Sequence, residues 1–309
     1  MDDPAPADGP VSGLTAGGGV RATSLGPAEI GKVCAVAGTL QRDMRAWAEE
    51  YPGLFSAKPF DAALYSTLTL ASAFSGPWSR AADLRMANRA CLWCFALDWL
   101  MDYLATGPEE VQETTRRCLA VAEGAPPGAG DDLARFLAEI RAELAELPAF
   151  AALGHVWRED LRHMLDAMTV ELTWKAEGVV PDFTRYLDNA DNLGFSFVFT
   201  THWIATTSAA PSPEEIEAVR AASAAVQRVI RLLNDLGSHE RDADWGDLNA
   251  LMLGRDREQV LALSAELATR ARELLDPVRA CRPDLADYLE RQMDFCAGFY
   301  QLADYWGRL

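Results

Sequence analysis

Asp98 and Asp102 sit among Leu97, Trp99, Leu100, Met101 and Tyr103, all apolar or aromatic. A helix through such a run is greasy on every side and belongs in an interior. A spacing of four puts the two carboxylates on one face of it, about 5 to 6 Å apart. Buried charges need partners, and the basic side chains nearest in sequence, Arg85 and Arg89, lie about two to three turns earlier. A divalent metal ion is the economical partner, because Mg²⁺ prefers carboxylate and water oxygens and commonly binds through one or two carboxylates plus substrate phosphates. The alternative is a structural pair saturated by arginines of other helices or by helix N-termini.

A second constellation follows in Arg231-Leu232-Leu233-Asn234-Asp235-Leu236-Gly237-Ser238-His239-Glu240-Arg241-Asp242. Asn234, Ser238 and Asp242 fall at i, i+4 and i+8, which drifts only about 40° in an ideal helix and keeps three oxygen-bearing side chains on one stripe. An amide carbonyl, a hydroxyl and a carboxylate can together hold one hard cation. Asp235 and Glu240 point away from that stripe and are expected in solvent. An ordinary polar helix face, bent near Gly237, is the other reading of the same residues.

The elements that must carry these groups are helical. Val and Ile are sparse beside Ala and Leu in a chain that is 50% hydrophobic, which favours helices over sheets. Helical patterning spans 28–50, 80–106, 131–146, 148–176, 214–243, 256–277 and 283–306. Breaks stand at Tyr51-Pro52-Gly53, Lys58-Pro59, Ser75-Gly76-Pro77, 125–130 and 178–181. The sequence predicts one unbroken helix over 80–106, and it offers no strand and no internal repeat. Residues 1–26, rich in Gly, Pro, Ala and Ser, read as a flexible tail ahead of a domain at 27–309.

With 309 residues, the chain is long enough to bury a sizeable all-α core. A formal charge of -18 excludes nucleic acid as a partner, since neutralising phosphates takes clustered Lys and Arg. It also disfavours anionic lipid. It does not exclude a phosphorylated substrate, because divalent cations bridge two negative partners. No apolar stretch is long enough for a membrane span, and the start lacks a secretory pattern, so a cytoplasmic location is expected. Of Cys34, Cys91, Cys94, Cys118, Cys281 and Cys296, only Cys91 and Cys94 are close in sequence; a single CxxC without a second pair reads as buried free thiols.

Asn234 to Asp242, read as Asn-Asp-Leu-x-Ser-x-x-Arg-Asp, resembles the NSE metal motif of class I terpene cyclases, with Asp for the usual final Glu. Asp98-Trp99-Leu100-Met101-Asp102 resembles their DDxxD motif with Trp in place of the second Asp. Gly178, Pro181, Tyr186 and Leu187 resemble the segment before the family's kinked active-site helix, and Gly194 falls at its effector glycine. Gly298 and Arg308 resemble the closing Arg-Tyr element, with Leu309 for Tyr. The likeness covers roughly residues 30 to 309, and its nearest match in character is the bacterial diterpene synthases. One departure is Ala190, where the family carries a diphosphate-sensing Arg.

The resemblance implies an all-α, class I terpenoid synthase-like bundle around a deep apolar cavity, and an enzyme that ionises an isoprenoid diphosphate and cyclises the carbocation. It implies three Mg²⁺ ions, on Asp98 with help from Asp102, and on Asn234, Ser238 and Asp242. Arg231, Arg241 and Arg308 are the diphosphate contacts, unless the substrate is gripped differently. Because aromatic faces stabilise cations, Phe74, Trp78, Trp99, Trp157, Trp174, Gly194, Phe195, Phe199, Trp203 and Trp306 are the candidate cavity residues; most aromatics of a helical protein are core, so about half of these are expected there. Trp99 either shapes the cavity floor or packs between helices. The substrate implied is geranylgeranyl diphosphate, with a bicyclic copalyl-type diphosphate and farnesyl diphosphate as alternatives, and a homodimer is left open. Chain-elongating prenyltransferases carry a second DDxxD motif, and class II cyclases a DxDD acid; neither is present. A non-catalytic helical scaffold is the reading from another class.

Overall fold

The computed structural model describes residues 25–105 and 107–307. The expected tail therefore lies outside the described residues apart from Leu25 and Gly26, as do Arg308 and Leu309. Among the described residues there are twelve α-helices and no strand. In order they are α1 (Pro27–Glu50), α2 (Pro52–Phe55), α3 (Ala62–Ser75), α4 (Ala81–Asp98), α5 (Pro108–Ala122), α6 (Asp132–Ala145), α7 (Phe150–Glu177), α8 (Phe183–Asp188), α9 (Phe195–Thr206), α10 (Pro213–Trp245), α11 (Arg257–Cys281) and α12 (Pro283–Phe299).

Local chemistry sets the boundaries. Asp61 accepts from the Ala63 and Leu64 amides to start α3, and Ser212 accepts from Glu215 with Pro213 in the first turn of α10. Asp256 and Gln259 form a reciprocal capping box on α11. Gly178 and Gly246 end α7 and α10 in the left-handed conformation, at φ 66° and 71°. The last helix stops at Phe299 rather than 306, and the chain returns through turns toward the mouth of the bundle.

The helix expected over 80–106 changes character. After Asp98 it widens into a π-helical turn, Trp99–Leu104, closed by the Ala105 amide donating to the Leu100 carbonyl at 2.9 Å. The wide turn brings Tyr103 and Leu104 to the surface, at 54% and 50% exposure, so the greasy run is not buried throughout. Asp98 and Asp102 both remain on the inner side.

One continuous hydrophobic core runs through the molecule. Helix α4 packs on α1, α3, α6 and α9, and α10 on α9, α11 and α12. Between α3, α4, α7, α9, α10 and α12 the helices leave a cavity of about 240 Å³, lined by apolar and aromatic side chains, by Asp98, Asp102, Asn234 and Asp242, and by the polar Ser72, Asn88 and Gln292.

Candidate active site

Asp98 and Asp102 face each other at hydrogen-bond range, and each presents part of its surface to the cavity. Burial pushes the Asp98 carboxyl up to about 6, against the pull of Arg241. Burial, then the charge of Asp98, lifts Asp102 well above the usual carboxylate range. Trp306 donates from Nε1 to Asp98 Oδ2 at 3.2 Å. Among the described residues neither carboxylate forms an ion pair. Arg85 and Arg89 instead pair with Glu143, and Arg89 also with Glu139.

Across the mouth, α10 presents Asn234 and Asp242 to the same cavity. Asp242 accepts from Ser238 Oγ at 2.6 Å, from Asn249 Nδ2 at 2.8 Å and from Arg241 Nη2 at 2.9 Å. Ser238 is buried behind Asp242 rather than on the cavity wall. Arg241 spends its other terminal nitrogen on Asp304 at 3.0 Å, which ties α10 to the C-terminal turns. Gly237 gives α10 a close approach to that segment: a Cβ there would stand 2.9 Å from the Tyr300 ring and 3.0 Å from its carbonyl oxygen.

These donors suit a hard divalent ion. Asp98 and Asp102, without an ion pair among the described residues, line the same cavity as the Asn234 amide and a third carboxylate, Asp242, with the Ser238 hydroxyl behind it; all are oxygen donors. Among the described residues no three His, Cys, Asp or Glu side chains gather into a site by themselves. Such a set leaves coordination positions to substrate and water, as Mg²⁺ prefers.

Asp235 departs from expectation. It is fully buried, not solvated, and accepts from Tyr186 Oη at 2.8 Å and from the Ala250 amide at 3.3 Å. Arg231 Nε lies 3.3 Å from it, and the same guanidinium binds the Tyr186 hydroxyl and Glu171. The stripe rule places Asp235 about 100° away from Asn234; on a helix packed on several sides that direction is interior. Glu240 is exposed, as expected. Arg231 thus lines the cavity with its donors already engaged.

The aromatic expectations divide. Phe195, Phe199 and Trp306 line the cavity, as does Gly194, whose φ of 70° breaks the chain between the turn Ala190–Leu193 and α9. Trp78 is 53% exposed. Phe74 stacks on Phe295 outside the cavity wall, and Trp174 packs under Arg185. Trp203, eight residues beyond Phe195, has rotated to a separate cavity beside Asp160 and Thr200. Trp157 is core, bonded to Thr201. Trp99 packs between helices with Phe60, Tyr103, Trp245 and Trp306, since one step past Asp98 turns it off the cavity face.

Sequence reasoning missed Asn249, Glu171, Lys175, Asp247 and Tyr288. Lys175 pairs with Asp247 at 2.7 Å on the cavity rim. Only Asp247, five residues past Asp242, carried a local hint. All six thiols are free; Cys91 and Cys94 face the cavity, whereas Cys34 and Cys281 are exposed rather than buried.

A helical bundle enclosing an apolar cavity, with oxygen donors from two facing helices at its mouth, is the arrangement of a class I terpene cyclase. The chain belongs to terpene synthase family 2, C-terminal metal binding, whose pattern matches residues 89–259. It is 27% identical over 273 residues to an ent-pimara-9(11),15-diene synthase of Streptomyces sp. (strain KO-3988), covering 86% of this chain and 90% of that one. Its fold matches 2-methylisoborneol synthase of Streptomyces coelicolor A3(2), solved with Mg²⁺ and geranyl-S-thiolodiphosphate, with a TM-score of 0.69 and 16% identity over 88% of this chain and 95% of that one. It also matches linalool/nerolidol synthase of Streptomyces clavuligerus, with a TM-score of 0.64 and 15% identity over 86% and 93%. The protein is a terpene cyclase, and the family implies an isoprenoid diphosphate as substrate. Among the described residues no helix is long and apolar enough to cross a membrane.

Proposed function

We propose that the chain is a diterpene synthase that ionises geranylgeranyl diphosphate and cyclises the cation, with Asp98 and Asp102 on one side and Asn234, Ser238 and Asp242 on the other holding three Mg²⁺ ions. The observation that carries this reading is the pair of half-buried carboxylates, Asp98 and Asp102, at hydrogen-bond range on the wall of the same cavity as Asn234 and Asp242 and in no ion pair among the described residues. The diterpene assignment draws on the relative whose name is that of a diene synthase of that class.

When bound, the metal ions supply charge neutralisation for the departing diphosphate, so that the allylic C–O bond can break heterolytically. The chain's own residues do the rest. Arg241, on the cavity wall beside Asp242, offers charge-assisted hydrogen bonds to phosphate oxygens, while Arg231, on the same wall, adds positive charge with its donors held by Tyr186 and Glu171. Arg308 is assigned the same role from the C-terminus. Below them Phe95, Phe195, Phe199 and Tyr288 turn aromatic surface to the chain, which keeps water out and stabilises positive charge by roughly 0.5 to 2 kcal/mol per contact.

Incubation with Mg²⁺ and, separately, linear fifteen-carbon, linear twenty-carbon and bicyclic twenty-carbon diphosphates, followed by mass spectrometry of the products, tests the assignment. Cyclic product from the linear twenty-carbon substrate is expected. Turnover of only the fifteen-carbon or only the bicyclic substrate would overturn the substrate assignment. A requirement for isopentenyl diphosphate would overturn cyclisation as the reaction.

A further inference from the structure

Among the described residues three positive side chains line the cavity: Arg231, Arg241 and Lys175. The two arginines are fixed. Arg231 is 7% exposed and bonded to Tyr186 and Glu171, and Arg241 is divided between Asp242 and Asp304. Lys175 differs. Its only ion pair among the described residues is with Asp247 at 2.7 Å, its side chain is 34% exposed, and its unbranched stem lets the ammonium swing. Such half-exposed pairs contribute little and are easily exchanged.

The position of the pair is informative. Lys175 lies in the last turn of α7, one turn beyond Glu171, while Asp247 follows the end of α10, so the ion pair crosses the cavity mouth. The Asp247 charge reaches both Asp98 and Asp102 and raises their carboxyls. Lys175 lines the same cavity as the carboxylates beside which a diphosphate would lie. The turn Ala190–Leu193, which packs against α7, presents no cation; Ala190 is buried and apolar.

We infer that Lys175 is a diphosphate-contacting residue, held at the rim by Asp247 in the free enzyme and transferred to the phosphate oxygens when the substrate enters. This rests on the reading of the chain as a diphosphate-ionising cyclase. The exchange replaces one carboxylate partner by a more highly charged anion, and no bond is made or broken in it. It supplies from α7 the positive charge that the wall at Ala190 lacks.

Calorimetric titration of the full chain with inorganic diphosphate in the presence of Mg²⁺ tests this directly. In Lys175→Ala the affinity is expected to fall by about tenfold or more, the loss of one charge-assisted contact, with KM for the substrate rising alongside. Lys175→Arg should restore most of the binding. Asp247→Asn, which frees the ammonium, should bind diphosphate at least as tightly as the wild type; a purely structural ion pair would make Asp247→Asn and Lys175→Ala weaken binding equally, and that result overturns the proposal. So does wild-type affinity in Lys175→Ala, and in that case the cyclase reading stands. Absence of Mg²⁺-dependent diphosphate binding in the wild type would overturn both.

Discussion

Trp306 donates its indole N–H to the Asp98 carboxylate at 3.2 Å, joining residues separated by 208 positions. The C-terminal turns therefore act on the aspartate helix directly. The Trp306 ring also meets Phe60, Phe95 and Trp99, so position and hydrogen bond are fixed together.

Trp306→Phe keeps most of that packing and removes the donor. A hydrogen bond to a charged group contributes about 1.5 to 3 kcal/mol, so turnover should fall roughly tenfold while the melting temperature drops by only a few degrees. Steady-state kinetics beside a thermal melt would separate the two. Wild-type kcat in the variant would mean that Asp98 needs no help from this segment.

Asp98→Ala and Asn234→Ala should each abolish measurable cyclisation while leaving the helical circular dichroism intact, because each removes an oxygen donor at the mouth without cutting into the main core. Asp102→Ala should be milder. In a thermal melt, Mg²⁺ with diphosphate should stabilise the wild type, by about 2.7 kcal/mol at a hundredfold excess over the dissociation constant, and stabilise Asp98→Ala and Asn234→Ala little. Normal activity in either of these two would refute the metal assignment.

The helices were legible in the sequence because they are local: period, caps and breakers fix where α1, α7 and α10 begin and end, and helical spacing put Asn234 and Asp242 on one side of α10. What escaped was set by packing. Trp203 and Phe199 look alike in sequence, yet Phe199 borders the main cavity while Trp203, four residues on, borders only the second one. Asp235 read as solvated because a spacing rule says which residues share a face, not what covers the other faces. The π-helical turn after Asp98 left no signal in a run without Gly or Pro. Asn249 and Lys175 reach the site through tertiary contacts and belong to no spaced motif.

Asp98 and Asp102 make the metal-free protein sensitive to pH. Both carboxyls are raised above their unfolded values by burial, Asp98 to about 6. The folded state therefore holds a proton that the unfolded chain has released, and stability falls as pH rises from about 4 through 6, by about 1.4 kcal/mol per pH unit for each proton retained. Metal binding needs the ionised forms, so Mg²⁺ should restore stability above pH 6 and bind more weakly below it. Melts across pH 4.5 to 8 with and without Mg²⁺ and diphosphate would show this as a ligand-induced shift that grows with pH. A shift independent of pH would count against these carboxyls as the ligands.

Asp235→Ala should destabilise strongly, by about 3 to 5 kcal/mol, since it removes one partner from a buried ion pair. The Tyr186 hydroxyl and the Asn249 amide, which donates to the Asp235 carbonyl at 2.9 Å, link the same point to α8 and to the loop beyond α10. Denaturant unfolding measures the loss. A change below about 1 kcal/mol, the surface-pair value, would show that Arg231 is satisfied by Glu171 alone.

Gly194→Ala tests the wall where α9 begins. At φ 70° an L-residue costs roughly 1 to 2 kcal/mol, and the added Cβ would stand 2.7 Å from Met164 Sδ and 3.5 Å from Cys94 Sγ. The thioether is flexible and can yield, so the fold should survive with a moderate loss of stability. Met164 and Phe195 line the cavity on either side, however, and any relief of the clash moves atoms that shape the bound chain. The variant should therefore keep substrate consumption within an order of magnitude and change the ratio of products. An unaltered product profile in Gly194→Ala would show that this part of the wall does not contact the reacting chain.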